Sequence, residues 1–344
     1  MRKTARALRA ALGAFVAAAT LGGAAHAVDY AEVEPDNDSV PSPFLSGNPV
    51  LFSGDRLLGS ITENDSDNHF LVVDGSGPAG LYRYSFTLDT TPLPGGAPDS
   101  VLRLYDTNVL PDGFGHQLGQ NDDFFGPSGG SKIIFDQFHS GGGNPVFDVG
   151  IEGFPVTAPD ASLFNYALTV ERAITPVTAL GTLGQGTSSL LGTIDAGAGT
   201  WYSFTLALPS NLALDTFSLT GVGDTEMVLF DGAGNTLLGN DNGLDAFLNG
   251  AFPAGNYYLA VGSFSFNPFL FEEEGSFYNW DELLEAPVGW DRNGFSGGFE
   301  SFEFQLNVNV AAVVPEPGTL FLLGVGGLLL LRRRLAAGGS GGAR

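Results

Sequence analysis

The sequence predicts an all-β protein of two tandem β-sandwich domains, with a signal peptide in front and an apolar helix behind. Three observations carry this. The middle of the chain is a succession of short alternating runs broken by Gly, Pro, Asn and Asp. Four motifs occur twice in the same order, and the two ends differ in composition from the body between them. With 50 Gly and 28 Phe in 344 residues, the chain has many turns and many aromatic core side chains. An apolar share of 43% argues against disorder.

Arg2, Lys3, Arg6 and Arg9 form a positive stretch, residues 10–21 an apolar run, and Ala25-His26-Ala27 a small-x-small cleavage site. That order describes a secretory signal peptide over residues 1–27, removed by signal peptidase. The apolar run is too short to span a bilayer comfortably, which disfavours an N-terminal anchor.

The full chain has 14 basic and 38 acidic residues. Four basic residues lie in the leader and four beyond residue 331, so the body keeps only Arg56, Arg83, Arg103, Lys132, Arg172 and Arg292. Against 37 acidic residues this leaves the body near −31. Such a surface repels phosphate backbones and excludes a nucleic-acid partner. It favours solubility outside the cell and attracts cations, Ca²⁺ above all. With no cysteine, disulfides, thiolate metal sites and cysteine nucleophiles are excluded. A large core or bound Ca²⁺ then has to supply rigidity.

The alternation is clearest at residues 81–88, 101–105, 164–170, 201–206, 227–230, 257–261 and 302–310. Runs of this length and spacing indicate sandwich strands. Gly59-Ser60-Ile61 is echoed by Gly192-Thr193-Ile194. The segment 99–106, ending Leu104-Tyr105-Asp106, is echoed by 224–231, ending Leu229-Phe230-Asp231. Leu118-Gly119-Gln120-Asn121 is echoed by Leu238-Gly239-Asn240, and the segment 144–150 by 256–262. Each copy closes on an alternating run, from Tyr166 or Phe304. A repeat of this period implies two homologous domains, 28–173 and 174–312, each expected to fold around its own core. The second copy carries an acidic insertion, 271–299.

The first copy resembles the bacterial pre-peptidase C-terminal domain over most of residues 31–173. The resemblance rests on the acidic lead-in Glu32-Val33-Glu34-Pro35-Asp36-Asn37-Asp38, on Gly59-Ser60-Ile61, on Asp65-Ser66-Asp67 before an apolar strand, and on Leu104-Tyr105-Asp106 with Asn121-Asp122-Asp123. It implies a jelly-roll-like sandwich acting as an accessory module for binding, stabilisation or secretion. It also implies that the lead-in and the Asp-x-Asp segment meet around an ion. Glu32, Glu34, Asp36 and Asn37 offer side-chain oxygens within six residues, and Asp65 and Asp67 lie at i and i+2 on an alternating stretch. Oxygen donors in such number suit Ca²⁺. The second copy lacks both segments, so Ca²⁺ is expected in the first copy only. The family usually has Pro-Asn-Asp where this chain reads Pro-Asp-Asn.

After the body, Pro315-Glu316-Pro317 precedes an apolar run, residues 318–331, and then Arg332-Arg333-Arg334. The arginines hold their end in the cytoplasm and orient the body outward. Pro-Glu-Pro, apolar run and basic cluster together resemble the PEP-CTERM sorting signal, over residues 313–344. The resemblance implies transient membrane contact through this helix and processing by an exosortase. It further implies release or attachment at the surface of a Gram-negative-type cell, reached through the inner membrane.

No catalytic constellation stands out. Gly-x-Ser-x-Gly occurs around Ser128 and Ser296, but a nucleophile elbow needs a strand before and a helix after, and both lie in Gly-rich loops. His69, His116 and His139 show no zinc-ligand spacing. Glu272-Glu273-Glu274 with Trp280 and Trp290 could bind sugar or Ca²⁺, or simply cover a sandwich edge. The expected function is therefore a non-catalytic exported protein of the cell surface or extracellular matrix, structural or binding. The alternatives are an adhesion module for exopolysaccharide and a secreted hydrolase with an unrecognised site.

Overall fold

The computed structural model describes residues 27–31, 50–62, 66–94, 99–105, 117–121, 130–153, 163–219, 223–240, 245–263, 294–295 and 300–313. Every regular element among them is a β-strand. In the first half, β1 (Asp29–Ala31), β3 (Arg56–Ile61), β10 (Phe164–Ile174), β5 (Gly80–Pro92) and β8 (Lys132–His139) form one layer in that order. The facing layer is β2 (Val50–Leu51), β4 (Ser66–Val73), β9 (Val146–Gly153), β6 (Ser100–Tyr105) and β7 (Gln117–Asn121). The protein is all-β and built of sandwiches, as the alternation predicts.

The second half repeats the arrangement. Its five-stranded layer is β11 (Val177–Leu183), β13 (Thr200–Leu206), β18 (Gly255–Ser263), β15 (Thr225–Asp231) and β16 (Thr236–Asn240). Its other layer is β12 (Gly186–Ile194), β20 (Phe302–Ala312), β14 (Ser210–Ser218) and β17 (Phe247–Phe252). The match extends to details. β2 runs parallel to β4 as β11 does to β13, and the pairing shifts register at Leu104/Tyr105 as it does at Leu229/Phe230.

The repeated motifs fall on matching strands: β3 and β12, β6 and β15, β7 and β16, β9 and β18. The last pair is offset. Ser100 pairs with Gly153 and Thr225 with Ser263, which matches Gly150 to Ala260 rather than to Gly262. In the second copy the glycine of Gly-x-Ile has a steric cause. Gly192 pairs with Phe304, and a Cβ there would lie 2.5 Å from both the Phe304 ring and the Tyr202 hydroxyl.

Alternation places the inward side chains of each half in its own core. In the first, Phe147 sits 5.1 Å from the rings of both Tyr84 and Phe86, above Leu104, Val149 and Leu168. In the second, Phe204 stacks on Tyr257 at 5.5 Å among Leu214, Leu229, Phe304 and Leu306. Fully burying one such side chain contributes about 1.5–3 kcal/mol, so either core is a substantial source of stability.

A third buried cluster lies between the halves. Trp201, Val228, Phe230 and Ala260 project from the outer face of β13, β15 and β18 onto Leu81 of β5 and Phe138 of β8. Trp201 is 1% exposed, stacked on Phe230 at 5.2 Å and edge-on to Phe138 at 5.7 Å. One carboxylate organises the polar side of the junction. Asp136 accepts Arg83 Nε and Nη2 at 2.8 Å each, Thr175 Oγ1 at 3.0 Å and Trp201 Nε1 at 2.8 Å. Arg83 Nη2 also donates to the Gly199 carbonyl at 2.9 Å. Burial works against the guanidinium's charge, but the Asp136 hydrogen bond and charge hold Arg83 above its ordinary value. Two sequence-expected cores are thus joined by a third, which alternation within each half does not reveal.

Two residues of the insertion 271–299 reach the same junction. Its described part, β19 (Gly294–Phe295), adds to the edge of the first half by pairing with Gln137 and Asp136 of β8. Phe295 is 2% exposed and meets Trp201 edge-on at 6.2 Å. The rest of the insertion, with Trp280 and Trp290, lies outside the described residues, as do Ser128, Ser296 and His116.

Candidate functional site

Of the six expected metal ligands, Glu32, Glu34, Asp36, Asn37 and Asp65 lie outside the described residues. Asp67 opens β4 on its inward side and is 1% exposed. Its Oδ2 accepts the Tyr166 hydroxyl at 2.8 Å, and the same hydroxyl lies 2.7 Å from His69 Nε2. Tyr166 has one proton and gives it to Asp67, so His69 Nε2 carries a hydrogen and donates to the tyrosine oxygen. Burial pushes the His69 imidazole down to about 4, so the ring is neutral at pH 7. The arrangement locks a tyrosine into the core wall. Among the described residues, no group of three or more His, Asp or Glu is placed to hold a metal. His139 is tied locally, with Nε2 2.7 Å from the Gly143 carbonyl oxygen.

The outer face of β4, β9 and β6 carries the more unusual electrostatics. Phe70, Asp148 and Tyr105 form one cross-strand row, and Asn68, Gly150 and Arg103 the next. Arg103 Nη1 donates to Glu152 Oε1 at 2.9 Å. Asp148 is 2% exposed, its Oδ1 has no hydrogen-bond partner, and burial pushes its carboxyl up to about 6. Tyr105 is pushed up to about 12 by burial, Arg103 opposing and Glu152 adding. A buried acceptor beside an amide, a guanidinium and two aromatic rings is a desolvated polar cluster on this face. Sequence reading missed it, although a charge inside the apolar stretch Val146-Phe147-Asp148-Val149 was a visible signal.

The matching positions of the second half are the junction. Where the first half has Asn68, Gly150 and Arg103, the second has Trp201, Ala260 and Val228. Tyr105 is matched by Phe230 and Asp148 by Tyr258.

Beyond β20 the chain enters its tail at Val313. Residues 313–334 match the family model of the PEP-CTERM protein-sorting motif. This chain carries a PEP-CTERM sorting signal. The motif marks an exported protein processed by an exosortase and directed to the cell envelope or surface. Its Pro315, Glu316, Pro317 and Arg332-Arg333-Arg334 lie outside the described residues. Among solved structures, the chain is similar to the pre-peptidase C-terminal domain of a Bacillus anthracis collagenase. There the identity is 16% over 39% of this chain and 95% of that one, with a TM-score of 0.25. It is similar to the tandem CBM22 domains of Paenibacillus barcinonensis Xyn10C at 9% identity, over 69% of this chain and 80% of that one, TM-score 0.18. It is similar to tripeptidyl peptidase 2 at 10% identity, over 76% of this chain and 26% of that one, TM-score 0.21. A search of curated proteins by sequence returns no match.

Proposed function

We propose that this PEP-CTERM protein is a non-catalytic component of the cell surface or extracellular matrix of a Gram-negative-type bacterium, with a structural or binding role. The observation that carries the reading is the sorting motif at 313–334, immediately after the last strand of a two-sandwich body. The absence of any nucleophile-and-base or zinc-ligand spacing in the sequence supports a non-catalytic role. Export begins with signal peptidase and ends with exosortase, so the mature form begins at Val28 and lacks residues 320–334. Intact-mass measurement on protein taken from the native host tests this. A surface form that keeps the arginine cluster sinks the processing claim and leaves a plain membrane anchor.

The first copy holds Ca²⁺ in the same reading, through Glu32, Glu34, Asp36, Asn37, Asp65 and Asp67. Support comes from the oxygen-rich donor set, which suits a hard cation taking 6–8 ligands. Bound ion raises stability by about 2.7 kcal/mol at a hundredfold excess over Kd. Chelation should therefore lower the melting temperature, and Asp65→Ala with Asp67→Ala should remove that sensitivity. Identical melting with Ca²⁺ and with chelator ends the claim.

A further inference from the structure

One outward face is fully described and unlike the others. It belongs to the four-stranded layer β12, β20, β14 and β17 of the second half. Leu306 and Val308 of β20, with Leu212 and Leu214 of β14, point into the core, so their neighbours point out. Leu191, Gln305 and Phe217 form one outward row. Ser189, Asn307, Asp215 and Phe247 form the next.

The polar side chains make a ladder. Ser189 Oγ donates to Asn307 Oδ1 at 2.7 Å, Gln305 Nε2 donates to the same oxygen at 2.7 Å, and Asn307 Nδ2 reaches Asp215 Oδ2 at 3.5 Å. The apolar side chains beside it stand in water. Leu191 is 76% exposed, Phe247 50% and Phe217 42%. Single exposed apolar residues need no explanation, but several on one face mark an interaction site.

We infer that this face binds a neutral, hydroxyl-rich polysaccharide. Charge narrows the class of partner. The four strands contain no Lys or Arg, while Asp215 and Glu303 face outward, on a chain whose net charge is −24. Polyanions, anionic membranes and a second copy of this chain are all repelled. Amide, hydroxyl and carboxylate groups supply the donors and acceptors that sugar hydroxyls need, and none demands a charged partner. The exposed phenylalanine rings offer flat apolar surface to the C–H faces of sugar rings. Four strands at about 4.8 Å spacing give a platform about 14 Å across, wide enough for several sugar units. The inference rests on the surface-sorting reading only for where the polymer is met. Binding is measured on purified protein, so its failure is separate from a failure of processing.

The test is native affinity electrophoresis of the mature protein through gels cast with dextran, hydroxyethylcellulose or galactomannan, with alginate as the polyanion control. Retardation is expected in at least one neutral gel and not in alginate. Phe217→Ala with Phe247→Ala should weaken apparent affinity at least about tenfold, a change of about 1.4 kcal/mol. Both side chains are half-exposed, so the variant should keep its circular dichroism spectrum and melting temperature. Leu208→Ala, 68% exposed in the β13–β14 turn, should migrate as the parent. No retardation in any neutral gel overturns the proposal, and so does retardation that survives the double substitution. Binding to alginate alone also overturns it. If the substitutions instead abolish concentration-dependent self-association, the face is an interface between copies and the polysaccharide assignment falls.

Discussion

The outer faces of the two five-stranded layers occupy the same place in the same topology and do opposite things. In the second half that face presents Trp201, Val228, Phe230 and Ala260 and is buried against the first half. In the first half it presents Asn68, Arg103, Asp148 and Glu152, and among the described residues the second half does not pack on it. The strands, their order and even the register shift are shared, so backbone geometry does not choose between an apolar and a polar outer face. A few side chains do. Arg103 against Val228 and Asn68 against Trp201 are the positions where the faces diverge most in polarity.

The largest effect that can break this comparison is at its most apolar position. Trp201→Ala removes the buried indole and leaves one acceptor site of Asp136 without its donor, and should cost about 3–5 kcal/mol. Asn68→Ala, at the matching position of the first half, should change stability by no more than about 0.5 kcal/mol, as half-buried sites away from a junction do. Urea denaturation of the two variants decides the matter. Equal losses would mean that the faces are not energetically distinct.

A smaller effect sharpens the polar side. The Asp148 carboxyl stands at about 6 in the folded protein against 3.8 in the unfolded chain, because burial penalises its charge. A folded value above the unfolded one means that the stability of the protonated form is fully present below pH 3.8 and lost as pH rises through about 6. Asp148→Asn keeps the shape without the charge. It should leave stability unchanged below pH 3.8 and raise it by about 1–3 kcal/mol above pH 6. His69 works in the opposite direction, since its folded value of about 4 lies below 6.5. Its contribution is present above pH 6.5 and fades as pH falls through about 4. Being common to parent and variant, it drops out of the difference. Melting temperatures of the pair from pH 3.5 to 8 provide the measurement, and a gap that stays constant across that range refutes the assignment.

Much of this was legible from residue order. Residues 81–88 and 302–310 alternate cleanly and became β5 and β20. The Gly-x-Ile motif fell on matching strands, and in the second copy its glycine answers to something visible only in space, the Phe304 ring beside it. The junction was also written in the sequence, in a form that period-2 reading passes over. Segment 227–230, Met-Val-Leu-Phe, grouped above with the alternating runs, is in fact continuously apolar, and all four residues are buried. Such a run marks a strand covered on both faces. In segment 101–105, Val-Leu-Arg-Leu-Tyr, Arg103 interrupts the run and is only half-buried. The strand at Gly294–Phe295 could not be read, because two residues carry no periodicity and their partner lies more than 150 positions earlier. The candidate site was the least legible part. Asp148 and the ladder around Asn307 depend on which strands become neighbours, and that is set by the long connections of the sandwich rather than by any local pattern.

β20 has a mechanical consequence. It lies between β12 and β14, paired with each through nine positions, and it runs directly into Val313, where the sorting motif begins. Any pull transmitted through the C-terminal end therefore enters the body along the axis of an interior strand. Loaded lengthwise, the two flanking ladders share the force across many hydrogen bonds at once and resist by shear. Were β20 an edge strand pulled sideways, the bonds would open one after another like a zipper. The order of strands in this sheet thus suits a body held, even briefly, by its tail against flow.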